Sequence, residues 1–401
     1  MIFNTWVYGA FLAVVFCLYW LAPARWRPLL LIGFGFYFYW YYYPIHTLFI
    51  AAMTVIVFGL SWLVRPGAGR QRRLWFGLAT TLCLGTLAYF KYQGFFLDSV
   101  AWVMGAAGLK THFDPPQLRA PLAISFFTFE YVHYLIEVYR GTFPPAGARD
   151  FGLFIMFFPT LICGPIKRFQ QFNPQEYSQR GLDPQNVNYG LERILFGLAK
   201  KTLIADTVAP YCAPVFAHPE LYTWAQLWLG VYGYAMQIYF DFSAYSDIAI
   251  GSARLFGYTV QENFNYPYLQ PNIARFWRNW HISLTSWITD YLYIPLGGNR
   301  RGEGRAYVNR LISMTLCGLW HGAAFHFMVW GMFHGVGLNI YRAYQVARAR
   351  WGWPRTTDPH VAVRVLSVVG TFHFVCIGWV LFVCDLDKAW AIILRMLLVR
   401  P

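Results

Sequence analysis

Charged side chains are scarce in this 401-residue chain: Asp, Glu, Lys and Arg make up 12% of it, against 57% hydrophobic residues. Soluble domains carry roughly 25% charged residues, so half of the polar surface that a water-exposed domain needs is missing. That shortage excludes a soluble enzyme of this length and leaves a multi-pass membrane protein. The apolar stretches also lack polar/apolar alternation, which argues against a membrane β-barrel. The seven cysteines, at 17, 83, 163, 212, 317, 376 and 384, include no CxxC pair. Neither a disulfide frame nor a zinc site is indicated, and they read as small core side chains. Absent too are HExxH, which removes an intramembrane zinc protease, and clustered histidine pairs, which disfavours a di-iron oxidase. No GxSxG elbow or P-loop occurs, so the common hydrolases and nucleoside triphosphatases drop out. No metal is expected.

What is present is a series of apolar runs, at 3–22, 29–43, 46–64, 74–90, 150–166, 222–240, 307–320, 324–341 and 362–384, with less pure ones at 120–139 and 190–216. They approach the ~20 residues that cross a bilayer as helix. Only helices or closed barrels satisfy the backbone in lipid. The expected fold is therefore an all-α polytopic membrane protein of about 10 or 11 transmembrane or re-entrant helices.

The net charge of +14 could suggest nucleic acid, but its placement says otherwise. Arginines collect in short loops: Arg25 and Arg27; Arg65, Arg70, Arg72 and Arg73; Arg342, Arg348, Arg350 and Arg355. This is the positive-inside pattern, which puts these loops in the cytosol and the N-terminus outside. No nucleic-acid partner is expected. The first segment has no charged region before it and two arginines after it, so it reads as an uncleaved anchor.

Residues 1–92 read as a ladder of four short helices with tight turns, and 93–401 as the core of one membrane-embedded domain spanning 1–401. The aromatic run "FGFYFYWYYYP" (34–44) reads as an interfacial belt, and the polar loop 107–119 lies outside by helix parity. In "FPTLICGPIKRFQQF" the Gly164-Pro165 pair breaks the helix, so a short or re-entrant segment is expected there. Backbone of that kind is tolerated at membrane depth only where protein or water surrounds it. Within 253–310, Trp277, Trp280, Ile282, Leu284, Trp287 and Ile288 recur near helical spacing. They predict an amphipathic or half-buried helix along the cytosolic membrane surface, followed by a Gly-Gly-Asn turn.

Two histidines stand out. If its helix enters from the cytosol near Tyr307, His321 in "GLWHGAAFHFMVWGMFHG" (318–335) sits 14 residues in, about 21 Å at ~1.5 Å per residue. An ionisable side chain at that depth marks a function by default; the alternative is a histidine hydrogen-bonded to a neighbouring helix. A buried imidazole without metal partners suits general-base work on a hydroxyl, because burial favours the neutral, proton-accepting form. His281, in "RFWRNWHISL", is by itself an ordinary interfacial histidine. His326 and His334 read as bundle-packing groups. Asp241 and Asp247 bracket "FSAYS", whose hydroxyls could form a polar network or relay with them.

"QIYFDFSAYSDIAIG", "ENFNYPYL", "FWRNWHISLTSWITDYLYIPLGGNR" and "GLWHGAAFHFMVWGMFHG" together resemble the membrane-bound O-acyltransferase family. "ISFFTFEYVHYLIEVYRG" (124–141) and "LICGPIKRF" (161–169) resemble its bacterial branch of polysaccharide-modifying members. The resemblance implies a ring of helices around a central funnel, with His321 as the catalytic histidine in its Trp-His-Gly context and His281 as the second functional one. It implies that Arg278 and Asn279 lie near the donor mouth, and that Trp280, Trp320, Asp241, Ser243 and Tyr245 belong to the substrate channel. No bound cofactor is implied. The donor would be an acyl thioester, acetyl-CoA or an acyl-carrier protein, and the final acceptor an extracytoplasmic polysaccharide. Implied partners are membrane lipid and a periplasmic SGNH-type transferase or a small acyl-carrier protein, and the implied place is the bacterial inner membrane. The length is closer to members that move D-alanyl to teichoic-acid-type polymers, whereas "DYLYIPLGGNR" resembles the acetylating ones. Acetyl transfer is the leading expectation; D-alanyl transfer and a non-catalytic acyl or lipid transporter are the alternatives.

Overall fold

The computed structural model describes residues 3–109, 120–172, 181–352 and 360–398. Most of the polar loop expected at 107–119, and Arg355, lie outside the described residues. All regular structure among the described residues is helical. The elements are α1 (Trp6–Leu21), α2 (Arg27–Trp40), α3 (Pro44–Val64), α4 (Arg72–Leu87), α5 (Gln93–Ala106), α6 (Ile124–Arg140), α7 (Ala148–Met156), α8 (Phe169–Phe172) and α9 (Pro184–Ala199). They continue with α10 (Asp206–Ala217), α11 (Trp224–Leu255), α12 (Ile273–Asn279), α13 (Ile282–Ile288), α14 (Glu303–His321), α15 (Phe325–Arg350), α16 (Val361–Val383) and α17 (Leu386–Met396). Pro44–Val64, Arg72–Ala106 and Val361–Val383 are long and apolar enough to cross a membrane, and Trp6–Leu21 is a shorter apolar helix. Of the other expected crossings, 29–43 forms the 14-residue α2, 150–166 is helical only to Met156, 190–216 passes through a wide turn at Lys200–Ala205, and α14 carries Arg305 and Arg310.

The residues group into two compact units: Met1–Leu198 with Tyr245–Gln261, and Ala199–Ala244 with Glu262–Pro401. In the first unit the start of the helical ladder follows local chemistry. Thr5 caps α1 by accepting from the Tyr8 N–H, as a threonine at this position commonly does. The turn into α2 closes when Arg27 Nε donates to the Ala22 carbonyl and its guanidinium lies 4.7 Å from the Trp20 ring. α4 and α5 form one 35-residue apolar stretch through a wide turn at Ala88–Tyr92, so the fourth rung of the ladder is longer than expected.

The break at 150–166 is real. α7 lasts nine residues, and Phe157 then leaves the helix in an extended conformation. Residues Phe154 to Phe158 are fully buried, so this irregular backbone is surrounded by protein, as membrane depth would require. After Gly164-Pro165 the chain places Lys167 against Glu130 of α6 at 2.7 Å, both side chains almost wholly buried. Lys167 Nζ also donates to Thr160 Oγ1.

Three expectations are revised. The segment around Trp280 is not one amphipathic helix but two seven-residue helices, α12 and α13, separated at Trp280–His281. His281 has φ 44°, a left-handed value that ends a helix. The tryptophans of this segment are also buried within protein, with Trp277, Trp280 and Trp287 under a tenth exposed, rather than laid on a membrane surface. Asp241 and Asp247, finally, turn to separate cations: Asp241 pairs with Lys201 at 2.6 Å in the second unit, and Asp247 with Arg193 at 2.5 Å in the first. Six residues on one helix are about 600° of rotation, which turns the two carboxylates well apart.

In the second unit α14 and α15 form a tight hairpin. A Cβ on Gly318 would overlap the Phe327 carbonyl, and one on Gly331 the Met314 carbonyl. Backbones can approach this closely only where side chains are missing.

Candidate active site

α14 delivers Trp320 and His321 at its last turn, and extended Gly322 ends it. The hairpin and α16 then enclose His321 in aromatic rings: Trp320 at 4.8 Å, Trp330 of α15 at 5.1 Å and Phe382 of α16 at 5.2 Å between centroids. Trp330 meets it nearly perpendicularly, at 89°. His321 itself is half-buried, open enough to meet a substrate and shielded enough to exclude most water.

His281 approaches the same indole, with ring centroids 6.1 Å apart. It is 1% exposed and packs edge-on against Phe242 of α11 at 4.7 Å. Its Nδ1 lies 3.5 Å from Ser283 Oγ, while its Nε2 is buried with no hydrogen-bond partner among the described residues. An unpaired buried nitrogen of this kind costs free energy, about 1–3 kcal/mol, and calls for an explanation. Two imidazoles gathered on one indole, one half-buried and one with an open lone pair, suit handling of a hydroxyl proton.

The same unit holds a cavity of about 340 Å³ whose lining includes neither histidine nor Trp320. Its rim carries Arg278, Arg310 and Arg342, and its apolar wall includes Trp277, Met314 and Cys317. Cys317 is one helical turn before His321 on α14, so the wall of the cavity lies on the histidine's side of that helix. Arg342 Nε donates to Glu303 Oε2 at 3.1 Å, and Arg310 donates to Asn339 Oδ1 at 2.7 Å. Arg278 is exposed.

Of the other expected site residues, Trp280 packs between Phe264, Phe276 and Trp379 and is buried. Asn279 closes α12, with Nδ2 donating to the Arg275 carbonyl. Ser243 is buried and reaches the Phe240 carbonyl at 3.5 Å. Tyr245 belongs to the first unit, where it lines an aromatic cavity of about 290 Å³ with Phe3, Tyr42 and Tyr43. His334 is fully buried among Trp277, Trp330 and Phe374, and His326 Nδ1 lies 3.2 Å from the Leu381 carbonyl, so both pack the bundle as expected. Sequence reasoning missed Trp330, Phe382, Ser283 and Asn263. The last two stood inside quoted motifs, and a hydroxyl two residues from a histidine was the available signal.

The family model for the membrane-bound O-acyltransferase family matches residues 31–377. A probable alginate O-acetylase of Azotobacter vinelandii is 39% identical, over 97% of this chain and 77% of its own length. A peptidoglycan O-acetyltransferase of Helicobacter pylori is 35% identical over 78% of this chain and 62% of its own. A teichoic acid D-alanyltransferase of Bacillus subtilis is 29% identical over 68% of this chain and 70% of its own.

Proposed function

The chain belongs to the membrane-bound O-acyltransferase family, and from that premise we propose that it moves an acetyl group from a cytosolic thioester to hydroxyls of an extracytoplasmic polysaccharide. It is a membrane acyltransferase; the donor, the route and the roles of the histidines are the proposed part. The observation that carries the reading is the gathering of His321 and His281 on Trp320; the arginine-lined cavity of the same unit reaches Cys317, one turn before His321.

In this reading His321 accepts the proton of the acceptor hydroxyl as its oxygen attacks the thioester carbonyl, and the thiolate departs and is reprotonated. The aromatic walls reduce competition from water. The arginine rim suits a donor that carries phosphate, as coenzyme A and the phosphopantetheine arm of a carrier protein both do. Acetyl is favoured over D-alanyl because the acetylating relatives are the more similar, at 39% and 35% against 29%. The polymers in both of those relatives' names, alginate and peptidoglycan, support a polysaccharide acceptor. An inner-membrane location and a separate periplasmic transferase or carrier as partner complete the proposal.

The test is His321→Gln, assayed in membranes with radiolabelled acetyl-CoA and the cells' own envelope polysaccharide as acceptor. Loss of a general base lowers transfer by about 10²- to 10⁴-fold, while the protein stays in the membrane in normal amount. Undiminished acetylation by this variant rejects the assignment and favours a conduit without chemistry of its own.

A further inference from the structure

His281 is the N-terminal boundary residue of α13 in a left-handed conformation, and Asn263 from a distant loop bonds to the turn through both its backbone and its side chain. Asn263 is fully buried. Its backbone carbonyl accepts from the Ile282 N–H at 2.9 Å, and its Oδ1 accepts from the Ser283 N–H at 3.3 Å and from Ser283 Oγ at 2.7 Å. The backbone N–H can only donate, so the atom facing it is the amide oxygen and not the nitrogen. That oxygen has no hydrogen to give, so the Ser283 hydroxyl spends its proton on Asn263. Toward His281 Nδ1 the hydroxyl then has only lone pairs, and Nδ1 must carry the ring hydrogen. The remaining nitrogen is Nε2, buried with an open lone pair.

We propose that Asn263 and Ser283 are positioning residues: through the chain Asn263–Ser283–His281 they lock His281 in the tautomer that presents Nε2 to the acyl-transfer site as a hydrogen-bond acceptor. The Ser283-to-His281 step is long, at 3.5 Å, and shortens when the site fills, as apo catalytic contacts do. The rings facing His281 are Phe242 from α11 and Trp320 from α14, and the titratable group facing it is His321. The assignment of His281 to the transfer site rests on the function proposed above; the tautomer does not.

The test therefore reads both. Full-length protein labelled with ¹⁵N-histidine in lipid gives the ring-nitrogen signals, with those of His281 assigned by their loss in His281→Gln. Wild type shows protonated Nδ1 and unprotonated Nε2, Ser283→Thr keeps that pattern, and Ser283→Ala gives a mixture of tautomers. Asn263→Asp keeps both acceptor atoms for folding but adds charge to the chain, which stabilises the imidazolium and moves the acid limb of the rate profile to higher pH. Ser283→Ala lowers kcat roughly three- to tenfold, as loss of one hydrogen bond would, with donor KM unchanged, and Ser283→Thr restores it. Unprotonated Nδ1 in the wild type, or identical ring signals in Ser283→Ala, overturns the inference. Correct ring signals with unaltered kcat and pH profile sink the reading of His281 as part of the site while leaving the lock itself in place.

Discussion

Trp320 is the residue on which the candidate site turns, because both histidines lean on its indole. His321 was legible in the sequence, since an ionisable ring in an apolar run is costly and marks itself. The packing of Trp280 and Asp241 was not, because adjacency along the chain does not say which way a side chain points. Trp280 precedes His281 directly, yet it packs into an aromatic cluster, and Asp241 spends its charge on Lys201. Arg278 is expected near a donor mouth, and it lines a cavity of the second unit. Substituting it tests that rim. Arg278→Gln raises donor KM roughly threefold to tenfold with little change in kcat, the cost of one partly solvated contact to phosphate. The effect shrinks with added salt, since exposed charges are screened. Steady-state rates against donor concentration at two ionic strengths check it, and equal KM values in both proteins would remove phosphate recognition from Arg278.

At the scale of elements, helices were easy to read and their interruptions were not. The period of Trp277, Trp280, Leu284 and Trp287 runs straight through residue 281 because the chain buries apolar side chains on both sides of the break. Hydrophobic spacing reports burial and is blind to a turn that a buried asparagine holds from elsewhere. The run 150–166 is expected to break at Gly164-Pro165, but α7 already ends at Met156, so the interruption was legible and its position was not. The α14–α15 hairpin matters most for function, for it sets His321 against Trp330. Gly331→Ala adds a methyl group where the Met314 carbonyl already sits, so the helices must separate. Overpacking of this kind costs about 1–3 kcal/mol. The expected result is a melting temperature several degrees lower in detergent, together with reduced transfer. Gly304→Ala, on the same hairpin but with nothing near its added Cβ, leaves both unchanged or slightly improved. Thermal unfolding of the two purified variants gives the comparison, and equal stability would mean that the helices are not tightly seated at Gly331.

For the whole molecule, the membrane class followed from composition alone, whereas the grouping into two units depends on which helices pack together and has no signature in hydropathy. Orientation follows from charge. α3 has 21 residues, about 31 Å at ~1.5 Å per residue, which matches the ~30 Å hydrocarbon core. Its two ends must therefore lie on opposite faces. Arg65, Arg70, Arg72 and Arg73 crowd one end, and the tyrosines at 41–43 flank the other, so the positive-inside rule predicts a cytosolic basic end and an extracytoplasmic aromatic end. Cys17 is the exposed thiol among the seven, and replacing it with Ser gives a quiet background. In that background Tyr42→Cys reacts with an impermeant maleimide on intact spheroplasts. Gln71→Cys, equally exposed, reacts only after the membrane is opened. Labelling in the opposite order would invert α3 and, with it, place the arginine end of that helix outside the cell.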